Sequence, residues 1–289
     1  PPHSMHLIAL QLKSAFKLPW LADFRDPWTN IDYYKDLMLT NLADKKHHRL
    51  ERKVLQDADA VVAIGAAMAD EFKKISKRDI DVITNGYDDD DVMHIKIKAD
   101  EKFSLAHIGA LNKDRNPSML WEVLAELVSE NKDFGNKLEI KLAGKVDLKV
   151  MEAIEKNQLK KYLNKIEYLP HNEVIHEQQR SQVLLLILNN TPNAKGILTG
   201  KLFEYLAAQR PVICIGPEDG DAAKIVEATK SGFTCDFNNK QKLKEIIITM
   251  FTQYISGELK LNSRGFEKYS RRNLTNELSQ LLNSISQLH

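Results

Sequence analysis

Short apolar runs alternate with longer stretches of helical periodicity along almost the whole chain. Met5, Ile8, Leu12 and Ala15 recur near one face and predict a helix close to the start. An apolar stretch at 18–22 leads into Asp23-Phe24-Arg25-Asp26-Pro27-Trp28, and a long polar helix is predicted from about 37 to 56. Residues 58–65 read as a buried strand and 66–75 as the helix after it. Residues 80–84 read as another strand, closed by the turn pair Asn85-Gly86. Such alternation predicts a parallel sheet with helices on both faces.

The rhythm breaks at 87–102, a charged run that includes Asp88 to Asp91 and reads as an interdomain linker. A calcium loop fails there on chemistry. Counted from Asp88, Met93 stands where the turn glycine belongs and Ala99 where the bidentate Glu belongs. A complete unit follows. Strands are predicted at 103–108, 138–143, 166–169, 183–188, 211–215 and 233–236, and helices near 117–130, 147–158, 172–180, 200–209 and 220–230. Six strands with helical crossovers make a Rossmann-like doubly wound sheet, whose ligands bind at the carboxyl ends of the strands. The tail from 240 reads as helical without a strand, and no internal repeat is visible.

Composition narrows the classes. In 289 residues, 43% are hydrophobic and 28% charged, which excludes a disordered chain. The longest apolar run, 183–188, is far short of the ~18 residues of a spanning helix. Lys+Arg 41 against Asp+Glu 40 leaves a net charge of +1, which argues against a general nucleic-acid binder. Two cysteines, Cys214 and Cys235, provide neither a disulfide framework nor zinc spacing, and point to a reducing compartment. The chain has no G-x-G-x-x-G after a strand, no Walker loop and no G-x-S-x-G elbow. His47 and His48 are adjacent and point to different sides of a helix. His94, His107, His171 and His176 stand in no ligand spacing and read as surface or packing side chains, so no metal site is expected.

The informative segment is KGILTGKLFEYLAAQRP at 195–211. Gly196, Thr199 and Gly200 make a turn directly before a helix that begins near Lys201. A helix start offers free backbone N–H groups and partial positive charge, which suits a diphosphate. Lys201 adds a cation in a first turn that does not favour one, and Glu204 follows on the same face, where a carboxylate can accept both hydroxyls of a ribose. The same spacing also suits a surface Lys–Glu pair.

TGKLFEYLAAQRPVICIG resembles the donor-binding helix of the GT-B glycosyltransferases of the retaining family 4, or group 1, type. His107-Ile108-Gly109-Ala110-Leu111 with Arg115-Asn116-Pro117 resembles that family's second-domain first strand and phosphate loop. Ile83-Thr84-Asn85-Gly86-Tyr87-Asp88 resembles its N-G-x-D crossing, and Ala58-Asp59-Ala60-Val61-Val62 with Met68 its last first-domain strand. The resemblance implies an α/β GT-B fold of two Rossmann-like doubly wound domains. The boundaries expected are 1–86 for the acceptor-side domain, 87–102 for the linker, 103–265 for the donor domain and 266–289 for a helix packing back on the first domain. The start Pro1-Pro2-His3-Ser4-Met5 reads as entering that first domain partway, so it is expected to be incomplete.

By the same resemblance, a sugar passes from a nucleoside-diphosphate sugar to a glycan or lipid-linked acceptor. Retention and metal independence are expected, with no cofactor beyond the donor. Gly109, Arg115, Thr199, Gly200, Lys201 and Glu204 would bind the donor, and Asp23 and Glu204 would be catalytic. Asp23 lies roughly where relatives carry a cleft-facing His or Asp, although an Asp23–Arg25 structural pair suits the spacing equally. The pattern departs from the family twice. Gly196 stands where the first Glu of the family's pair touches the donor sugar, with Asn190, Thr191 or Asn193 as substitutes. Ala110 replaces the usual basic residue beside Gly109, with Lys113 or Lys201 to compensate. A cytoplasmic location is expected from the cysteine usage.

Lys45, Lys46, Arg49, Arg52 and Lys53 form a basic run that reads as a solvated helix face diluted by Asp44 and Glu51. The sharper alternative is peripheral docking on an anionic membrane surface. Trp20 and Trp28 read as core rather than as sugar-stacking platforms. Two other functions stay open: a nucleotide-sugar epimerase of the same fold, and a non-catalytic nucleotide-sugar-binding or scaffold protein.

Overall fold

The computed structural model describes residues 3–91 and 97–287. The centre of the expected linker, 92–96, which includes Met93 and His94, lies outside the described residues, as do both chain ends.

The chain opens with α1 (Ser4–Phe16), then β1 (Leu21–Phe24), α2 (Asn41–Asp57), β2 (Ala60–Ala63), α3 (Ala66–Ser76) and β3 (Asp81–Val82). These strands form a parallel sheet in the order β1-β2-β3. The expected helix at the start forms, but its apolar stripe does not pack: Met5, Ile8 and Leu12 are 60%, 50% and 48% exposed. The opposite face is held instead, by the His6 ring stacked on Phe24 and by an ion pair from Lys13 to Asp59 at 2.6 Å.

The second sheet follows with β4 (Phe103–Ile108), α4 (Ser118–Glu130), α5 (Lys132–Lys137), β5 (Leu138–Ala143), α6 (Leu148–Lys156), β6 (Leu163–Ile166) and α7 (His171–Arg180). It continues with β7 (Val183–Ile187), α8 (Gly200–Ala207), β8 (Val212–Ile215), α9 (Asp221–Ala228) and β9 (Gly232–Cys235). All six strands are parallel, in the order β6-β5-β4-β7-β8-β9, which is the doubly wound dinucleotide-fold order. The strands β4, β7 and β8 are buried along their whole length, as expected for central parallel strands read from near-continuous apolar runs. Strand β6 falls at 163–166 rather than 166–169. It is the sheet edge, with Asn164 and Lys165 exposed, so its ladder partners on β5 fix it where apolarity does not. The order reverses between β4 and β7, and a crevice opens at their carboxyl ends.

The tail holds α10 (Lys240–Ile255) and α11 (Arg271–Ser286). Helix α10 covers the second sheet, whereas Leu274 of α11 packs with Val62 and Ile83 of the first. A bridge from Tyr87 to Ser270 ties the tail to the crossing after β3. One apolar cluster runs without interruption from Ala22, Phe24 and Phe72 through Met68 and Leu198 to the α8 side of the second sheet. Among the described residues, no helix is long and apolar enough to cross a membrane.

Candidate active site

The start of α8 leaves the Gly200 and Lys201 amides without a side-chain cap, while the Leu202 amide donates to the Thr199 carbonyl oxygen at 3.1 Å. Thr199 is the N-cap residue, yet its side chain accepts no cap hydrogen bond, and no acidic residue stands in the first turn. The Thr199 hydroxyl oxygen is buried and has no hydrogen-bond partner among the described residues. Buried hydroxyls are ordinarily satisfied, and this one lies on the crevice wall with its hydrogen-bonding capacity unused by the described residues. Gly200 follows and carries no side chain into the space.

Lys201 turns from the first turn of α8 toward the end of β4. Its Nζ lies 3.4 Å from the carbonyl oxygen of Ala110 and 3.4 Å from Nε2 of His107. Gly109 makes this approach possible. Its φ is +119°, and a Cβ there would sit 2.7 Å from Lys201 Nζ. The ammonium therefore stands beside position 110, where the resemblance leaves a basic residue missing. Lys113, the other candidate, is exposed. Burial pushes Lys201 down to about 8, with the Arg115 guanidinium adding to the effect and Glu204 opposing it. Gly144, φ +108°, closes the floor of the turn, where a Cβ would sit 3.2 Å from the backbone of Gly109, and was not singled out from sequence because its role depends on two strands meeting.

Arg115 ends the 3-10 turn Lys113–Arg115, which Asn112 caps. Its Nε donates to Asn189 Oδ1 at 2.5 Å, and Asn189 Nδ2 donates to Asp32 Oδ2 at 3.1 Å. A guanidinium of the second sheet is thus linked through one amide to a carboxylate of the first. Glu204 is half-buried, with Oε2 accepting from Gln178 Nε2 at 3.1 Å and Oε1 facing Gly200. It does not point into bulk solvent, and the surface Lys–Glu pair is not formed.

The crevice between the sheets measures about 650 Å³. Arg25, Asn30, Asp32 and Glu71 line one wall, and Arg115, Asn189, Gly196 and Thr199 the other. Of the site residues expected from sequence, Arg115 and Thr199 line it, whereas Asp23, Gly109, Gly200, Lys201 and Glu204 do not; Glu204 lines a separate small cavity with Tyr87, His171 and Gln178. Both Arg25 Nε and Nη2 donate to Oδ2 of Asp23, at 2.9 Å and 2.7 Å, so the Asp23–Arg25 pair forms, while Asp23 Oδ1 is buried with no hydrogen-bond partner among the described residues. Arg25 reaches the wall instead. Glu71, unnoticed in sequence as one acid on a polar helix, lies half-enclosed with its carboxyl pKa raised by burial. Asn30 donates to it at 2.8 Å. Gly196 brings no side chain to this wall, and of the side chains expected to substitute for a carboxylate there, Thr191 donates to Asn193 at 2.8 Å and Asn193 to the Asn30 carbonyl at 3.2 Å. Trp28 is core, with its Nε1 donating to His47 Nδ1 at 3.1 Å.

Residues 88–267 match the family described as "Glycosyl transferases group 1". The chain belongs to that family. It is a glycosyltransferase by family, and no curated protein matches it as a relative. Among solved structures it is similar to Anabaena HepE in complex with UDP, at a TM-score of 0.73 and 13% identity, covering 98% of this chain and 77% of that one. It is also similar to sucrose-phosphate synthase from Thermosynechococcus elongatus, at 0.72 and 13%, covering 98% and 72%. A glycosyltransferase from Rickettsia africae matches at 0.67 and 13%, covering 97% and 80%. At such identities the likeness shows the fold, which is GT-B with two Rossmann-like sheets.

Proposed function

We propose that this group 1 glycosyltransferase moves a sugar from a nucleoside-diphosphate sugar to a hydroxyl of a glycan or lipid-linked acceptor, with retention and without a metal. The observation that carries the reading is the start of α8: amides without a side-chain cap, an unpartnered buried Thr199 hydroxyl and the Lys201 ammonium converge at the carboxyl end of β4. The diphosphate accepts from these groups and from Arg115, and Glu204, fixed by Gln178, takes the pentose hydroxyls. Lys201 and Arg115 then stabilise charge on the departing diphosphate, the work a metal does in other transferases.

The acceptor approaches along the opposite wall, where Arg25, held by Asp23, and Glu71, held by Asn30, offer a donor and an acceptor to sugar hydroxyls. Closure about the crossing after β3 would exclude water.

Peripheral contact with an anionic membrane is part of the proposal. Glu51 does not dilute the basic face as its sequence position implies. It is buried and accepts from the Trp28 and Thr29 amides and the Thr29 hydroxyl, while Lys45, Lys46, Arg49, Arg52 and Lys53 stay exposed. Beside them Met38 and Leu42 are 88% and 82% exposed.

The test is transfer. UDP-, GDP- and ADP-linked sugars are incubated with glycan and lipid-linked acceptors in the presence of EDTA, and the product anomer is read by NMR. One donor giving product of unchanged anomeric configuration is expected. Hydrolysis or epimerisation without transfer contradicts the proposal.

A further inference from the structure

His107 is a residue that the chemistry above does not use. It lies on β4, 1% exposed, between the carbonyl oxygens of Leu185 and Ala110. Its Nδ1 is 3.0 Å from the carbonyl oxygen of Leu185 on β7, an acceptor only. That contact requires the proton on Nδ1 and leaves Nε2 with a lone pair. Nε2 faces Lys201 Nζ at 3.4 Å, and the ammonium is a donor only. Nε2 is equally 3.4 Å from the Ala110 carbonyl oxygen; the shorter Leu185 contact favours the proton on Nδ1, and the ring then presents an acceptor to the lysine.

We infer that His107 is a positioning residue for the donor site, whose neutral imidazole holds the Lys201 ammonium against the Gly109-Ala110 turn so that it meets the diphosphate without reordering. The inference rests on the nucleotide reading given above. Three features agree. The turn is hollowed for the lysine, since a Cβ at Gly109 would overlap its Cε and Nζ. The stem lies along buried strand ends, so the choice of rotamer is made before ligand arrives, which lowers the entropy lost on binding. The ring also stays unprotonated throughout the physiological range, because burial, then Lys201 and then Arg115 push it down to about 3. The charged and titratable groups facing the pair are Arg115 from the phosphate loop and Glu204 from α8 itself.

Lys201 carries a second consequence. Near 8 it is partly deprotonated in mildly alkaline solution, and a bound diphosphate favours the cation, so binding there takes up a proton. Nucleotide affinity falls as pH rises through about 8.

A double-mutant cycle tests the inference. UDP, GDP and ADP affinities are measured by calorimetry for the full chain, His107→Asn, His107→Gln, Lys201→Ala and the His107→Asn/Lys201→Ala pair, with thermal unfolding as the control for folding. Asn places an amide near the Nδ1 position and keeps the Leu185 bond but not the reach to lysine, whereas the longer Gln presents its oxygen near Nε2. His107→Asn should weaken binding about tenfold, the loss of one hydrogen bond to a charged group. His107→Gln should recover most of it, and His107→Asn should add nothing once Lys201 is Ala. Lys201→Arg should keep binding and flatten its fall above about pH 8. Additive losses, or Asn and Gln variants that behave alike, overturn the positioning role while leaving nucleotide binding intact. A wild-type chain that binds none of the three nucleotides overturns the donor-site reading and this inference with it.

Discussion

The amide of Ala67, in the first turn of α3, donates to Oδ2 of Asp221 at 2.9 Å. A carboxylate at the start of α9 in the second sheet thus caps a helix of the first, meeting both an orphan N–H and the positive end of the helix. The side chain is 5% exposed, and its other oxygen has only Lys224 nearby, at 3.7 Å. Asp221→Ala should cost about 1–2 kcal/mol in denaturant unfolding, and Asp221→Asn less, because an amide oxygen caps without charge. Gly65→Ala should also destabilise, since its Cβ would meet Asp221 Oδ2 at 2.5 Å. An Asp221→Ala chain with wild-type unfolding would show that the cap contributes nothing.

A buried cation in the second sheet gives a larger effect. Lys141, 2% exposed, pairs with Asp100 at 2.6 Å and Glu177 at 2.9 Å, and Arg180 completes the group from the surface. Removing one partner strands the others, so Lys141→Ala should cost about 3 kcal/mol. Lys141→Met keeps most of the stem volume and should still lose stability. A Met variant as stable as wild type would assign the residue's contribution to packing alone. Nucleotide affinity should not change in either variant.

Acid stability reports on His107. Its ordinary value near 6.5 is pushed down to about 3 by burial. Below about pH 6.5 the unfolded chain binds a proton that the folded chain refuses, so stability falls as pH falls through that window. The stability difference between wild type and His107→Gln should shift by about 2 kcal/mol against wild type from pH 6.5 to 5. Parallel curves for the two chains would contradict the neutral buried imidazole.

Membrane contact is tested at Met38 and Leu42. A polybasic face beside protruding apolar side chains binds anionic bilayers by charge and insertion together. Met38→Asp/Leu42→Asp should reduce co-sedimentation with phosphatidylglycerol vesicles about tenfold, and high salt should weaken what remains. Equal sedimentation of both chains would remove this face from the account.

The second sheet was legible because its inner strands are continuous apolar runs, and β4 and β5 fall where the sequence places them, Phe103–Ile108 and Leu138–Ala143. The edge strand β6 was misplaced because its pattern is polar and its position comes from its neighbour. Periodicity located α1 but chose the wrong packed face, since stacking of His6 and pairing of Lys13 outweigh an apolar count. At the site, Thr199, Gly200, Lys201 and Glu204 were legible as a local pattern within one turn of helix. His107 and Asn189 were not, because their partners lie 94 and 74 residues away and no local spacing encodes them. Asp23 was found for its position; Arg25 engages its Oδ2, and its Oδ1 is buried without a hydrogen-bond partner among the described residues.

The most direct measurement is calorimetric titration of the chain with UDP, GDP and ADP, repeated with Glu204→Gln. If the mouth of α8 seats the diphosphate and Glu204 the pentose, one nucleotide binds and the variant weakens it about ten- to a hundredfold, as expected for hydrogen bonds to a carboxylate. Binding that is indifferent to the substitution, or no heat with any nucleotide, would contradict the account.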